Sequence, residues 1–382
     1  MKLCIAGPLA AAAAVVVLAG CGSSTASSGA SSSASSASSA SSASSTTSEV
    51  ATSGSTASAT GGSSAATASG GGGGGSAASS GSDTATASGK PVSILWVQPL
   101  FTHPVHKIMQ AGFTDACNQR HYTCTLVGNP SATNYDISAT VALAEAAMVK
   151  TKFDAIAVYD ADPGIDSFIA KLGKDGYPVV TWHVIPPEGS VPGLKAAAAE
   201  DIPTAGANAA DAIGAKINGT GTVAVSEGSS NTAENLMAKS FTDEMKKKYP
   251  NVKVLDPVLE GFDPAAAQAK AVGVIQANPD VVAAFSTTGG GPATWAGAQR
   301  TAGKNLSIIG MDYTRQNLDL VKAGQVYGLV AQPLFAEAQK DVELAGALAD
   351  GQSVPYANVL PSPVITKDGL APYYEILDKA GV

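Results

Sequence analysis

From Val92 onward, short β-branched and apolar runs alternate with longer amphipathic stretches. The short runs are residues 92–97, 123–127, 155–159, 178–182, 222–226, 252–259, 281–286, 307–311 and 327–331. Their length and composition predict strands. Between most of them lie segments with helical spacing of apolar residues, such as 104–120, 137–151, 164–176, 232–249, 265–277 and 333–351. Pro104, after His103, and Pro264, after Asp263, stand where a proline starts a helix. Strands alternating with helices imply parallel sheets covered on both faces. The strands are too many for one open sheet, so the pattern predicts two doubly wound α/β lobes. In such sheets a ligand sits beyond the carboxyl ends of the strands.

Upstream, the pattern disappears. Residues 22–89 are almost wholly Ser, Ala, Gly and Thr, including the glycine run 70–75. Such a segment buries too little apolar surface to offset the entropy of ordering and is expected to be a disordered linker. As a flexible coil of about 68 residues it would span roughly 45 Å. Before it come Lys2, an apolar run over 5–19, and Leu18-Ala19-Gly20-Cys21. The layout is that of a secretory signal, and it resembles a bacterial lipoprotein lipobox. The resemblance implies cleavage before Cys21 and lipidation of that residue. Residues 1–20 are then a signal peptide and 21–89 a lipidated cysteine with its linker. The mature protein would be extracytoplasmic, anchored to the cell membrane at the cell surface or in the periplasm.

A net charge of −8 argues against nucleic acid as a partner. Cys4 leaves with the signal and Cys21 takes lipid, so Cys117 and Cys124 remain. A disulfide between them suits an oxidising compartment. Two buried free thiols are the other reading, and no further cysteine exists to complete a metal site.

The predicted strand ends carry polar and aromatic groups but no assembled catalytic set. The first runs into His103 and His106, the third into Tyr159-Asp160, the fourth into Trp182-His183. In the second half come Glu227, Phe262-Asp263, Thr288 with its glycines, Asp312 and Gln332. Gly289-Gly290-Gly291 lacks the lysine of a P-loop and reads as a tight turn. Neither an enzyme nor a cofactor is expected. Trp182 is divided between cleft and core, and Trp295, in mid-helix, reads as core.

From residue 90 to 382 the chain resembles the ribose-type, or type I, periplasmic binding proteins of sugar ABC transporters. Phe285-Ser286-Thr287-Thr288, Ala302-Gly303-Lys304, Ile309-Gly310-Met311-Asp312 and Val330-Ala331-Gln332-Pro333 carry the resemblance, with Gly261-Phe262-Asp263 and Asp154-Ala155-Ile156. It implies two lobes joined by three crossings, near Glu200-Asp201, near Gln332 and near 361–364. Residues 90–200 with 333–361 would form the N-terminal lobe, and 201–332 with 362–382 the C-terminal lobe. Solute would bind between them, the lobes would close by a hinge motion, and an ABC permease would read the closed form. The expected solute is a small sugar or polyol and the expected acting form a monomer. A binding protein that presents its ligand to a membrane receptor is the alternative.

The resemblance also implies site residues. Asp312 and Gln332 match positions that hold ligand hydroxyls, and Phe262 matches a ring that stacks on the ligand. His103 stands where the family commonly has Asn. Val105 and His106 replace two Phe rings, and His183 with Val184 replaces an Asp-Arg pair. Asn235, or nearby Met237, replaces an Arg, and Thr288 with Gly289 an Asn-Asp pair. Both arginines are therefore absent, which leaves a smaller polyol, an unusual sugar or a less hydroxylated ligand open. The candidate ligand-binding set is His103, His106, Trp182, His183, Asn235, Phe262, Thr288, Asp312 and Gln332. The three histidines could in principle take zinc with Asp312, but a loop and helix start is not a rigid metal motif, and no metal is expected.

Overall fold

Alternation of apolar positions splits each strand between two cores, and the first strand shows how. In the computed structural model, which describes residues 91–382, β1 (Ser93–Gln98) is buried along its whole length. Its Ile94 and Trp96 enter the larger apolar core, while Leu95 and Val97 enter a smaller one with Ile156, Val158, Phe168 and Ile169. Successive strand side chains point to opposite faces, so a strand covered on both sides reads as a continuous apolar run. The lipobox, Cys21 and the linker lie outside the described residues.

The first half of the chain then runs α1 (Pro104–Arg120), β2 (Thr123–Gly128), α2 (Ile137–Lys150), β3 (Ala155–Tyr159), α3 (Asp166–Lys174), β4 (Val179–Trp182) and β5 (Leu194–Glu200). The second half runs α4 (Ile202–Lys216), β6 (Gly221–Glu227), α5 (Thr232–Lys248), β7 (Val252–Val254), β8 (Val258–Leu259), α6 (Pro264–Ala277), β9 (Val281–Ser286), α7 (Gly291–Thr301), β10 (Ser307–Met311), α8 (Arg315–Lys322) and β11 (Gly328–Val330). Last come α9 (Leu334–Ala349), β12 (Ala357–Leu360), β13 (Val364–Ile365) and α10 (Ala371–Ala380).

Two sheets result. One has the order β12-β5-β4-β3-β1-β2; the other is β13-β11-β10-β9-β6-β7, with β8 beside β6. Pairing is parallel except for β13 on β11. The chain passes between sheets after β5, after β11 and after β12. Strand order reverses at β1 between β2 and β3, and at β6 between β7 and β9. A crevice opens at such a reversal, beyond the carboxyl ends of the strands.

Several elements depart from the sequence pattern for identifiable reasons. The run 252–259 is two short strands, because Asp256-Pro257 interrupts it and proline has no N–H for the ladder. Strand β5 was not anticipated: its Leu-Lys-Ala-Ala-Ala-Ala-Glu sequence has little β propensity. It forms between β4 and β12, where small side chains fit a covered position. Cys117 at the end of α1 and Cys124 in β2 are joined by a disulfide. The left-handed residue His121 makes the turn between them. Among the described residues no helix is long and apolar enough to cross a membrane.

Candidate functional site

The carboxyl ends of the strands in both sheets meet around one cavity of about 60 Å³, room for one small molecule. From the first sheet come Leu100, His103 and His106 after β1, Tyr135 after β2, Tyr159 on β3, His183 after β4 and Glu200 on β5. The second sheet supplies Asn231 and Glu234 after β6, Phe262 after β8, Thr287, Thr288 and Gly289 after β9, Asp312 after β10 and Gln332 after β11.

The two halves are in contact. The Thr232 N–H donates to the Ala161 carbonyl at 2.8 Å, joining the start of α5 to the loop after β3. Gln332 Nε2 and His183 Nδ1 are hydrogen-bonded at 3.1 Å. A Cβ added to Gly289 would lie 2.5 Å from Val105 Cγ2 and 2.6 Å from Asp312 Oδ2. Glycine is required there because α1 and the end of β10 both press on that turn.

Aromatic rings form one wall. Phe262 meets His103 edge-on at 6.2 Å and Tyr135 at 6.1 Å between centroids. The Tyr135 hydroxyl donates to the Tyr159 hydroxyl at 3.2 Å, and the Tyr159 ring lies 5.2 Å from His183. His183 has φ 83°, which turns its side chain back from the strand end; its N–H donates to Glu337 Oε1 at 2.5 Å.

The other wall is held by hydrogen bonds. Asn231 caps α5, its side chain accepting from the Glu234 N–H at 2.9 Å, and Glu234 reaches back to Asn231 Nδ2 at 2.9 Å. The same carboxyl accepts from the Gly228 N–H and from the Thr287 hydroxyl. This is a reciprocal capping arrangement carried into the site. Asp312 also has a left-handed backbone, φ 73°. Asn317 Nδ2 lies 2.9 Å from the Gly289 carbonyl and 3.0 Å from that of Asp312, so it ties the two loops together.

The candidate residues therefore divide. His103, His106, His183, Phe262, Thr288, Asp312 and Gln332 border the cavity. Trp182 does not: it is fully buried and stacks on Trp96 at 4.6 Å, beneath His106 and His183. Asn235 does not either. It is exposed and bonds the Ser230 hydroxyl. Asn231, Glu234 and Met237 take the cavity face of that helix. Tyr135, Glu200 and Glu234 were missed. The Asn-x-x-Glu spacing after a strand was a readable signal for Glu234; Tyr135 lies in a loop without a pattern. Among the described residues no group of His, Cys, Asp and Glu could hold a metal ion.

Burial sets the ionisation of the site. It depresses His103 and His183 to about 4 and His106 well below the usual imidazole range. It pushes Glu200 up to about 7 and Glu234 to about 8. Asp312 rises well above the carboxylate range through burial, reinforced by Glu200 and Glu234.

These shifts predict the pH dependence of stability. An unfolded chain ionises Glu near pH 4–5, whereas the folded chain keeps Glu200 and Glu234 protonated to about 7 and 8. The stability they contribute is lost as pH rises through the folded values. The histidines act in the opposite sense, and their contribution is lost as pH falls from about 6.5 toward 4. Above pH 6.5 only the carboxyls remain. The stability of the free protein should therefore fall between pH 6.5 and 8.5, by about 1.4 kcal/mol per pH unit for each carboxyl still protonated, read as a falling melting temperature. A flat or rising profile in that window would show the carboxyls already ionised.

Comparison with known proteins gives one family. Residues 94–353 match the model described as a periplasmic binding protein domain. A glucose-galactose binding protein, GanP, from Geobacillus stearothermophilus is 19% identical, with a TM-score of 0.68, covering 74% of this chain and 99% of that one. An arabinose binding protein, AraP, from the same organism is 22% identical, with a TM-score of 0.64, over 75% and 100%. A carbohydrate transporter solute binding protein from Agrobacterium radiobacter, in complex with D-arabinose, is 20% identical, with a TM-score of 0.68, over 75% and 98%. At such identities the likeness is one of fold.

Proposed function

Since the chain belongs to the periplasmic binding protein domain family, we propose that it captures a small sugar or polyol and delivers it to an ABC importer. Residues 1–20 would be removed, Cys21 lipidated, and residues 22–89 would tether the binding unit to the membrane. The halves 90–200 with 333–361 and 201–332 with 362–382 would part to admit the solute and close on it. Asp312 and Gln332 would bond its hydroxyls, and Phe262 would cover an apolar face.

What supports this above all is convergence: the strand ends of both sheets supply polar and aromatic side chains to one small cavity at the passage between them. The structures of similar fold include proteins described as arabinose and glucose-galactose binders. His103, His106, His183 and Thr288 would refine the fit, as acceptors or donors set by their neutral state.

Capture and anchoring can be read together. Membrane and soluble fractions from cells producing the full chain, or a Cys21→Ser variant, are probed with radiolabelled pentoses, hexoses and polyols. Retention of one of them in the membrane fraction, moving to the soluble fraction in the variant, is the expected result. Retention of none in either fraction would overturn the reading.

A further inference from the structure

The cavity has carboxyl groups and no positive charge to meet them. Asp312, Glu200 and Glu234 all border it, and no Lys or Arg does among the described residues. The ion pairs of the described residues all lie elsewhere.

The carboxyls are not equivalent. Glu234 is satisfied by Gly228, Thr287 and Asn231 and is part of the wall. Asp312 and Glu200 are each only 4% exposed, and each has an oxygen without a partner, Oδ1 and Oε2; burial raises the Asp312 carboxyl further, with Glu200 and Glu234 both adding to it. A buried carboxyl without a partner is destabilising, and such a group in a native structure points to something that joins it. A hydroxyl supplies one hydrogen bond and no charge. An ammonium group supplies a charge-assisted bond and also favours the aromatic faces of Phe262, Tyr135 and Tyr159 in the same cavity. The neutral histidines offer no competing cation.

Resting on the solute-binding reading above, we propose that the solute is an amine-bearing polyol or amino sugar whose ammonium group is taken by Asp312. The remaining hydroxyls fall to Gln332, Thr288 and the histidines. An ammonium ion beside Asp312 holds that carboxyl ionised, so binding expels the proton that burial keeps on it in the free protein.

The test uses matched pairs: D-glucamine against D-glucitol, and 1-amino-1-deoxy-D-arabinitol against D-arabinitol. Calorimetry on the full chain near pH 7, in two buffers of different ionisation heat, reads affinity and proton release together. An amine should bind about 10- to 100-fold more tightly than its alcohol, the worth of one charge-assisted bond, with release of about one proton. In Asp312→Asn the preference and the proton release should both vanish. Asparagine tolerates the left-handed backbone at 312, and a single cooperative melting transition of the free variant shows that it folds. Binding of an alcohol as tightly as its amine, without proton release, overturns the proposal and leaves the solute-binding reading standing. Binding of neither amines, alcohols nor the sugars of the radiolabel panel overturns both.

Discussion

Gly289→Val should weaken solute capture at least about 100-fold, equivalent to about 2.7 kcal/mol, while the free protein still folds. A Cβ at this position lies 2.5 Å from Val105 on α1 and 2.6 Å from the Asp312 carboxyl. Valine adds two methyl groups where even one carbon does not fit, and inserting methylenes into a packed contact costs about 1–3 kcal/mol. Val105 belongs to the opposite half of the cleft, so the clash with it is relieved by keeping the halves apart. The Val105 strain therefore falls on the form in which the halves meet, whereas the contact with Asp312, inside one half, stays in both forms and displaces the carboxyl proposed to hold the solute. Calorimetric titration with the solute that binds best, beside a melting curve of the free variant, checks this. Affinity within about three-fold of the parent would mean that the proposed closure on solute does not bring Val105 and Gly289 together.

The second large effect is on stability. Trp182→Ala should cost about 3–5 kcal/mol, read as a lower urea midpoint. Trp182 is fully buried, with its ring 4.6 Å from Trp96, 5.0 Å from Tyr159 and 5.9 Å from His106. Removing it opens a void under the aromatic wall, and stacked rings add about 0.5–1.5 kcal/mol beyond their buried area. Solute affinity should fall as well, because His106 and His183 lose the surface that orients them. Trp182→Phe should retain most of both properties. A loss below about 1 kcal/mol in the alanine variant would show that the surroundings collapse into the space.

The positions of Trp182 and His183 show how far a linear pattern reaches. Both follow from the end of β4, and the sequence placed both near the cleft. Trp182 pairs in register with Tyr159, yet only Tyr159 borders the cavity. Register puts the two rings on one face of the sheet; it does not say which of them reaches the cavity. His183 reaches the cavity through a positive φ that no spacing announces. The exchange of Asn235 for Asn231 and Glu234 has a similar origin. The helix was legible, but its phase against the cavity depended on packing.

The alternation of strands and helices, their parallel arrangement and the strand ends as the place for chemistry were legible in the chain. These follow from local periodicity and from the stereochemistry of prolines and caps, which neighbouring residues carry among themselves. Strand β5 was lost because four alanines carry no such local signal; its pairing with β4 and β12 alone makes it a strand. That Tyr135, Glu200, Glu234 and Asp312 share one cavity, with no lysine or arginine among the described residues that border it, came from tertiary packing. Burial and charge balance are sums over residues far apart in the chain, and a sum of that kind exists only once the strand ends have met.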